Sequence, residues 1–209
     1  MLIKTSSKPI VIIGFENSSL TQEYYEAVNY YSKEKDVRII TPLDFLDIPD
    51  KNKFQYMVGF SLEPDLRKDI IKLINTHNLD CVSYIHDNCF ISPNASIGKG
   101  VFIAPFSSVL RHAKIGNHSC IETYCLISHY TILGENTIVR SGTKIAGKTL
   151  IGENCTLGWN SGVSNGLSIC NDVHLGGFSN ITKNIEIPGM YAGFNARLVR
   201  KNIDGTRNT

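Results

Sequence analysis

The chain has 209 residues, 42% of them hydrophobic, and a formal net charge of +2. That length holds one large or two small domains with a real core. The balanced charge argues against nucleic acid as the main partner, and no run of about 18 apolar residues offers a membrane span. Met1 to Pro9 lacks the apolar stretch of a secretory signal, so a cytoplasmic protein is expected. The 6 cysteines form no C-x-x-C pair, so they read as small buried thiols in a reducing compartment.

In chain order, Pro9 to Gly14 (Pro-Ile-Val-Ile-Ile-Gly) predicts a short buried strand. A helix should follow, capped by Ser19 with Gln22 at the capping-box position, and run to about Glu34. Val37 to Ile40 reads as a second strand, Pro42 to Asn52 as loop, and Phe54 to Gly59 as a third strand. Pro64 suits a first helical turn, and Leu66, Ile70, Leu73 and Ile74 supply that helix with its apolar stripe. Cys81 to Ile85 predicts a last strand. Alternating strands and helices imply a small parallel α/β domain over residues 1–82. Its turn Gly14-Phe15-Glu16-Asn17-Ser18-Ser19 lies where such domains bind phosphates. It has one glycine and an acid, and a plain structural turn fits it equally well.

From Ile85 onward, every sixth residue is Ile, Leu or Val, 18 times without insertion, ending at Ile187. Two residues before each stands a mostly small residue, among them Ser107, Ser119, Cys125, Thr131, Thr137, Thr143, Thr149 and Cys155. Alternate residues of a strand share a face, so both sets point inward. A chain that turns every six residues is a hexapeptide-repeat parallel β-helix. Gly98, Gly116, Gly134 and Gly152 recur at every third hexad, so three hexads make one triangular coil. Gly100, His118, Asn136, Asn154 and Asp172 form a second ladder of residues that tolerate positive φ. The β-helix spans 83–189. A C-terminal extension covers 190–209, whose end, Asp204 to Thr209, reads as frayed.

The order of these parts, with Gly59 followed by Arg67, His86 with Ile91-Ser92-Pro93, and a Pro-Gly-x-x-x-Gly-x-x-Ala-Arg ending, resembles the hexapeptide acyltransferases that modify bacterial nucleotide sugars. These include the bacillosamine and perosamine N-acetyltransferases and the sialic acid O-acetyltransferases. The resemblance implies a left-handed β-helix assembled as a homotrimer, with acetyl-coenzyme A or another acyl-coenzyme A as co-substrate and no metal. It implies that the α/β domain holds a nucleotide-linked amino sugar for surface-glycan synthesis.

The histidine that matches the family's general base is His129, two residues past inward Ile127 and therefore outward near a corner. Histidine titrates near neutral pH, as a base for an attacking amine must. A simple corner residue, like His112 and His118, is the alternative; His77, His86 and His174 read as structural. The matching coenzyme positions are Gly147, Trp159, Gly176, Gly177, Arg197 and Arg200, with Lys201 beside them; Trp159 would equally cover a subunit seam, and the basic residues would equally be a solvated end. Acceptor contacts fall on Gly14, Asn17, Thr41 and Gly59. Four departures stand out: Phe15, Glu16, Asn17 and Ser18 replace a glycine-rich turn, Tyr130 replaces an acid after the histidine, Glu122 replaces an asparagine seven residues before it, and Asn195 replaces a proline of the ending. Glu122 is expected to orient His129 or to grip the acceptor's amine as its cation, unless it is a solvated carboxylate. Phe102, Phe106, Tyr124, Trp159 and Phe178, read as outward, are expected to form subunit contacts. Other readings are an O-acyltransferase, a β-helix carbonic anhydrase using His112, His118 and His129, and a non-catalytic scaffold or ice binder. The inward Thr131, Thr137, Thr143 and Thr149 disfavour the ice binder.

Overall fold

The computed structural model describes residues 2–3, 7–32 and 36–201, with side chains from residue 7 onward. The expected end of the first helix at Glu34 and the tail Asp204 to Thr209 lie outside them. The chain forms two compact units, residues 1–85 with 99–102 and residues 86–98 with 103–209.

The first unit holds β1 (Leu2–Ile3), β2 (Ile10–Ile13), α1 (Ser19–Ser32), β3 (Val37–Ile40), α2 (Pro42–Asp47), β4 (Gln55–Val58), α3 (Pro64–Thr76) and β5 (Ser83–Ile85). A three-stranded parallel sheet runs β3-β2-β4. Its centre, Ile10–Ile13, is fully buried, as expected of a strand covered on both faces. Helix α1 begins one residue after its cap: Ser18 Oγ faces the Thr21 N–H at 3.5 Å, while Gln22 Nε2 donates to the Glu16 carbonyl at 2.7 Å. The expected cap at Ser19 is thus corrected to Ser18. The expected loop from Pro42 is also corrected, since residues 42–47 form α2. Thr41 closes a capping box with Asp44, and Pro42 stands at the first turn. Those two signals outweigh the loop-like composition. Phe102, expected to face outward, is buried and stacks on Tyr24 at 3.9 Å between ring centres.

The second unit is a parallel β-solenoid with three faces. The first face runs Phe90–Ile91, Ser108–Val109, Leu126–Ile127, Lys144–Ile145, Gly162–Val163 and Asn180–Ile181. The second runs from Ser96–Ile97 through Lys114–Ile115, Ile132–Leu133 and Leu150–Ile151 to Ser168–Ile169. The third includes Cys120–Ile121, Ile138–Val139, Thr156–Leu157 and Val173–Leu175. Pairing partners such as Ile127 and Ile145, or Ile115 and Leu133, stand three hexads apart, which is one full coil. The inward Ile, Leu and Val stack in one column, and each buried side chain contributes about 1.5–3 kcal/mol.

The small inward slots have a second job. Ser107, Ser119, Cys125, Thr131, Thr137, Thr143 and Cys155 each donate to the carbonyl 15 residues later. These bonds satisfy carbonyls that the tight corners leave buried. Positive φ recurs every six residues, from Gly100 and Phe106 to Asp172 and Phe178, so all three corners turn through the left-handed region. The regularity fails near the end. Ile169 bridges Ile185 and His174 pairs Met190, a register shorter than three hexads. The expected inward position Ile187 is therefore exposed, and Ile185 is buried in its place.

Candidate active site

A groove of about 480 Å³ opens along the first face and its corner with the second. Leu126, Ser128 and His129 supply one end. Lys144, Ala146 and Gly147 lie one coil on, and Gly162, Ser164, Asn165 and Asn180 close the far end. His129 follows strand Leu126–Ile127, at the corner where the chain turns to the second face. Its ring lies over Gly147, where a Cβ would come within 2.6 Å of Nε2. Its Nδ1 is 3.1 Å from Ser128 Oγ. Among the described residues no acceptor takes the Gly147 N–H. Asn180 Oδ1 would stand 2.5 Å from a Cβ on Gly162, so the floor there is backbone covered by an amide.

His129 and Gly147 are thus brought together. Glu122 stands at the opposite end of the same strand. Arg140 Nη1 donates to one carboxylate oxygen at 2.6 Å, and the Ser141 N–H and hydroxyl donate to the other at 2.9 and 3.0 Å. Trp159 shares that corner, and Phe178 N–H donates to its carbonyl at 2.7 Å. Gly176 and Gly177 follow one coil later. A Cβ on either would meet nothing closer than 3.4 Å, and neither has positive φ. Nothing within this chain demands glycine there, unlike Gly158, where a Cβ would lie 2.5 Å from a neighbouring backbone nitrogen. Arg197 and Arg200 lie on the exposed strand Arg197–Lys201.

Within the first unit, Gly14, Thr41 and Gly59 meet at the carboxyl ends of the parallel strands, and Asn17 is exposed in the β2–α1 turn. Packing accounts for both glycines. A Cβ on Gly14 would lie 2.5 Å from Thr21 Oγ1, and one on Gly59 would lie 2.9 Å from Ile12 Cγ2. Thr21 Oγ1 accepts from Phe15 N–H and donates to the Gly59 carbonyl, tying the two turns together. Buried Arg67 donates to the carbonyls of Val58 and Phe60 at 2.7 Å each, which fixes the turn after β4.

Sequence reasoning missed Ser128, Lys144, Gly162, Ser164, Asn165 and Asn180. One coil on from His129 is Gly147, and one more is Asn165. The same steps from Leu126 reach Lys144, Gly162 and Asn180, so the coil period held the signal. All 6 cysteines are free. Burial pushes the thiols of Cys125 and Cys155 up to about 12, so neither is a thiolate at neutral pH. Among the described residues no group of three His, Cys, Asp or Glu is placed to hold a metal. No described helix is long and apolar enough to cross a membrane.

The triangular solenoid is built of hexapeptide repeats. Residues 94–129 match the family model for the bacterial transferase hexapeptide (six repeats). A comparison with curated proteins returns no match. Among solved structures, the acetyltransferase domain of PglB from Neisseria gonorrhoeae FA1090 is similar at a TM-score of 0.84 and 17% identity, covering 92% of this chain and 100% of that one. WeeI from Acinetobacter baumannii AYE gives 0.80 and 17%, covering 92% and 100%. PerB from Caulobacter crescentus, in complex with CoA and GDP-perosamine, gives 0.78 and 19%, covering 92% and 97%. The likeness extends over both units and establishes a shared fold.

Proposed function

We propose that the chain is an acyl-coenzyme A-dependent acyltransferase that N-acetylates a nucleotide-linked amino sugar, with His129 as general base. The observation that carries this reading is the His129 ring seated over Gly147 at the rim of an open, glycine-floored groove. Similar structures from Neisseria and Caulobacter hold acetyl coenzyme A, or CoA with GDP-perosamine, which supports the same donor and acceptor classes here.

The residues fit an acyl thioester as substrate. Gly147 makes room for the His129 ring and Gly162 for the Asn180 amide, and the uncommitted Gly147 N–H offers a donor to the thioester oxygen. When Nδ1–H donates to Ser128 Oγ, the Nε2 lone pair is free. The acceptor nitrogen then forms a bond to the acyl carbon, its proton passes to Nε2, and the carbon–sulfur bond breaks to release the thiolate, which takes that proton from Nε2 to leave as the thiol. Trp159, Gly176, Gly177, Arg197 and Arg200 are assigned to the coenzyme. The absence of any internal demand for glycine at Gly176 and Gly177 supports the first part of that assignment. Gly14, Asn17, Thr41 and Gly59 are assigned to the acceptor, although Gly14 and Gly59 already serve packing. Glu122 is assigned to orient the base or grip the acceptor's amine from a neighbouring subunit's side of the seam, since within one chain it holds Arg140 and Ser141 at the corner away from His129.

The exposed Phe106, Tyr124, Trp159 and Phe178 support a homotrimer with its coenzyme groove at the subunit seam. The setting is surface-glycan synthesis in a bacterial cytoplasm. Thiol release from acetyl-coenzyme A, measured against a panel of nucleotide amino sugars, tests the reading. Release that depends on one amino sugar is expected, and release with none of them overturns the acceptor class. If a sugar lacking the amine serves equally well, the enzyme is an O-acyltransferase.

A further inference from the structure

Acidic residues of the solenoid avoid the edge that carries His129. The stretches 90–97, 108–115, 126–133, 144–151 and 162–169, which form the first and second faces and the corner between them, contain no Asp or Glu. Glu122, Glu135, Glu153 and Asp172 all lie at the other two corners. The acid-free surface instead exposes Arg111, His112, Lys114, Lys144 and Lys148.

Arg111 stands one coil before His129, and the groove is lined only from the coils of residues 126–180. It is therefore on the side of His129 away from the groove. Its Nη2 donates to the Tyr130 hydroxyl at 3.3 Å, and its guanidinium carbon lies 5.4 Å from the Tyr130 ring centre. Tyr130 in turn stacks on His112 at 4.9 Å and meets His129 edge-on at 6.0 Å. Among the described residues no carboxylate pairs with Arg111. An acid in place of Tyr130 would neutralise this guanidinium. The phenol holds it and leaves its charge and most of its five N–H donors available.

We propose that Arg111, fixed against Tyr130, is a specificity-determining contact for an anionic phosphate or carboxylate oxygen of the acyl acceptor. The assignment rests on the acyltransferase reading. With the thioester in the groove and the base at its rim, the acceptor approaches from the Arg111 side. The same chemistry would suit a phosphate of the coenzyme, so the test separates the two sources.

Calorimetric titration of the full chain and of Arg111→Gln uses three probes: inorganic pyrophosphate, acetyl-coenzyme A and phosphate-free acetyl-pantetheine. Wild-type protein should bind pyrophosphate even when saturated with acetyl-coenzyme A. Arg111→Gln should weaken pyrophosphate by about tenfold or more, as loss of a charge-assisted contact does, and leave acetyl-coenzyme A within about twofold. Arg111→Lys should fall between, because a point charge cannot grip two oxygens. Pyrophosphate binding that is absent, or unchanged in Arg111→Gln, overturns the proposal. So does displacement of pyrophosphate by acetyl-coenzyme A but not by acetyl-pantetheine, which assigns the site to the coenzyme. Failure of the wild type to bind acetyl-coenzyme A sinks the acyltransferase reading instead, and the pyrophosphate arm still reports on the anion site.

Discussion

The imidazole of His129 occupies the space that a side chain on Gly147 would need. A Cβ there would fall 2.4 Å from Cε1 and 2.6 Å from Nε2, far inside contact distance. Gly147 has no positive φ, so alanine is conformationally permitted and the ring stands in its way. Gly147→Ala should move His129 by about an ångström and lower kcat by about 10²-fold. The overpacking costs about 1–3 kcal/mol of stability, read from denaturant midpoints. A folded Gly147→Ala with full activity would show that the ring position is irrelevant to turnover.

Glu122 should matter first for folding. Its carboxylate collects Arg140 and two donors of Ser141, with side-chain exposures of 11% for Glu122 and 20% for Arg140. Removing the charge by Glu122→Gln weakens the contacts to Arg140 and Ser141 and should cost about 2 kcal/mol. Urea denaturation reads the loss, and kinetics below the melting range read the chemistry. Unchanged stability with a depressed kcat would instead make Glu122 part of the proton-transfer apparatus, and a raised KM would make it the amine contact.

Two thiols predict the alkaline response. Cys125 and Cys155 are pushed to about 12 by burial, against about 8.5 when unfolded. Between those values the folded state keeps protons that the unfolded state gives up. Stability should therefore fall as pH rises above about 9, by up to ~1.4 kcal/mol per pH unit for each thiol, with no contribution below that. Denaturant midpoints at neutral and alkaline pH, compared with a Cys125→Ser, Cys155→Ser variant, isolate the effect. Equal alkaline loss in both proteins would contradict it.

The aromatic corner predicts assembly. Phe106 and Tyr124 stack at 5.0 Å on the surface, and Trp159 and Phe178 are 58% and 75% exposed in a single chain. Light scattering should return three times the 23.2 kDa chain mass. A monomer at micromolar concentration would remove the subunit-seam groove, and Trp159→Ser should weaken the trimer.

The repeat was legible because it is written twice, once in the inward Ile, Leu and Val and once in the small slots. Thr131, Thr137 and Thr143 satisfied both demands, being small and able to donate to a corner carbonyl. Where the register shortens, between Ile169 and Ile185, the count by hexads kept running and misplaced Ile187. Phe102 sits in the outward series and was misread for a different reason. A period cannot report that Tyr24 and Tyr84 cover it. Helix α2 was hidden by its loop-like composition, although Thr41, Pro42 and Asp44 spelled out its start. His129 came from resemblance, whereas its groove partners follow from the step of one coil, which places residues on one face without showing which gap stays open.

The central claim is that His129 takes the acceptor's proton. Its most direct test is kcat for wild-type protein and His129→Asn with the same acyl donor and acceptor, each confirmed as folded by thermal melting. The account predicts a loss of about 10²-fold or more in kcat with donor binding retained. A normally folded His129→Asn that turns over at the wild-type rate would contradict it.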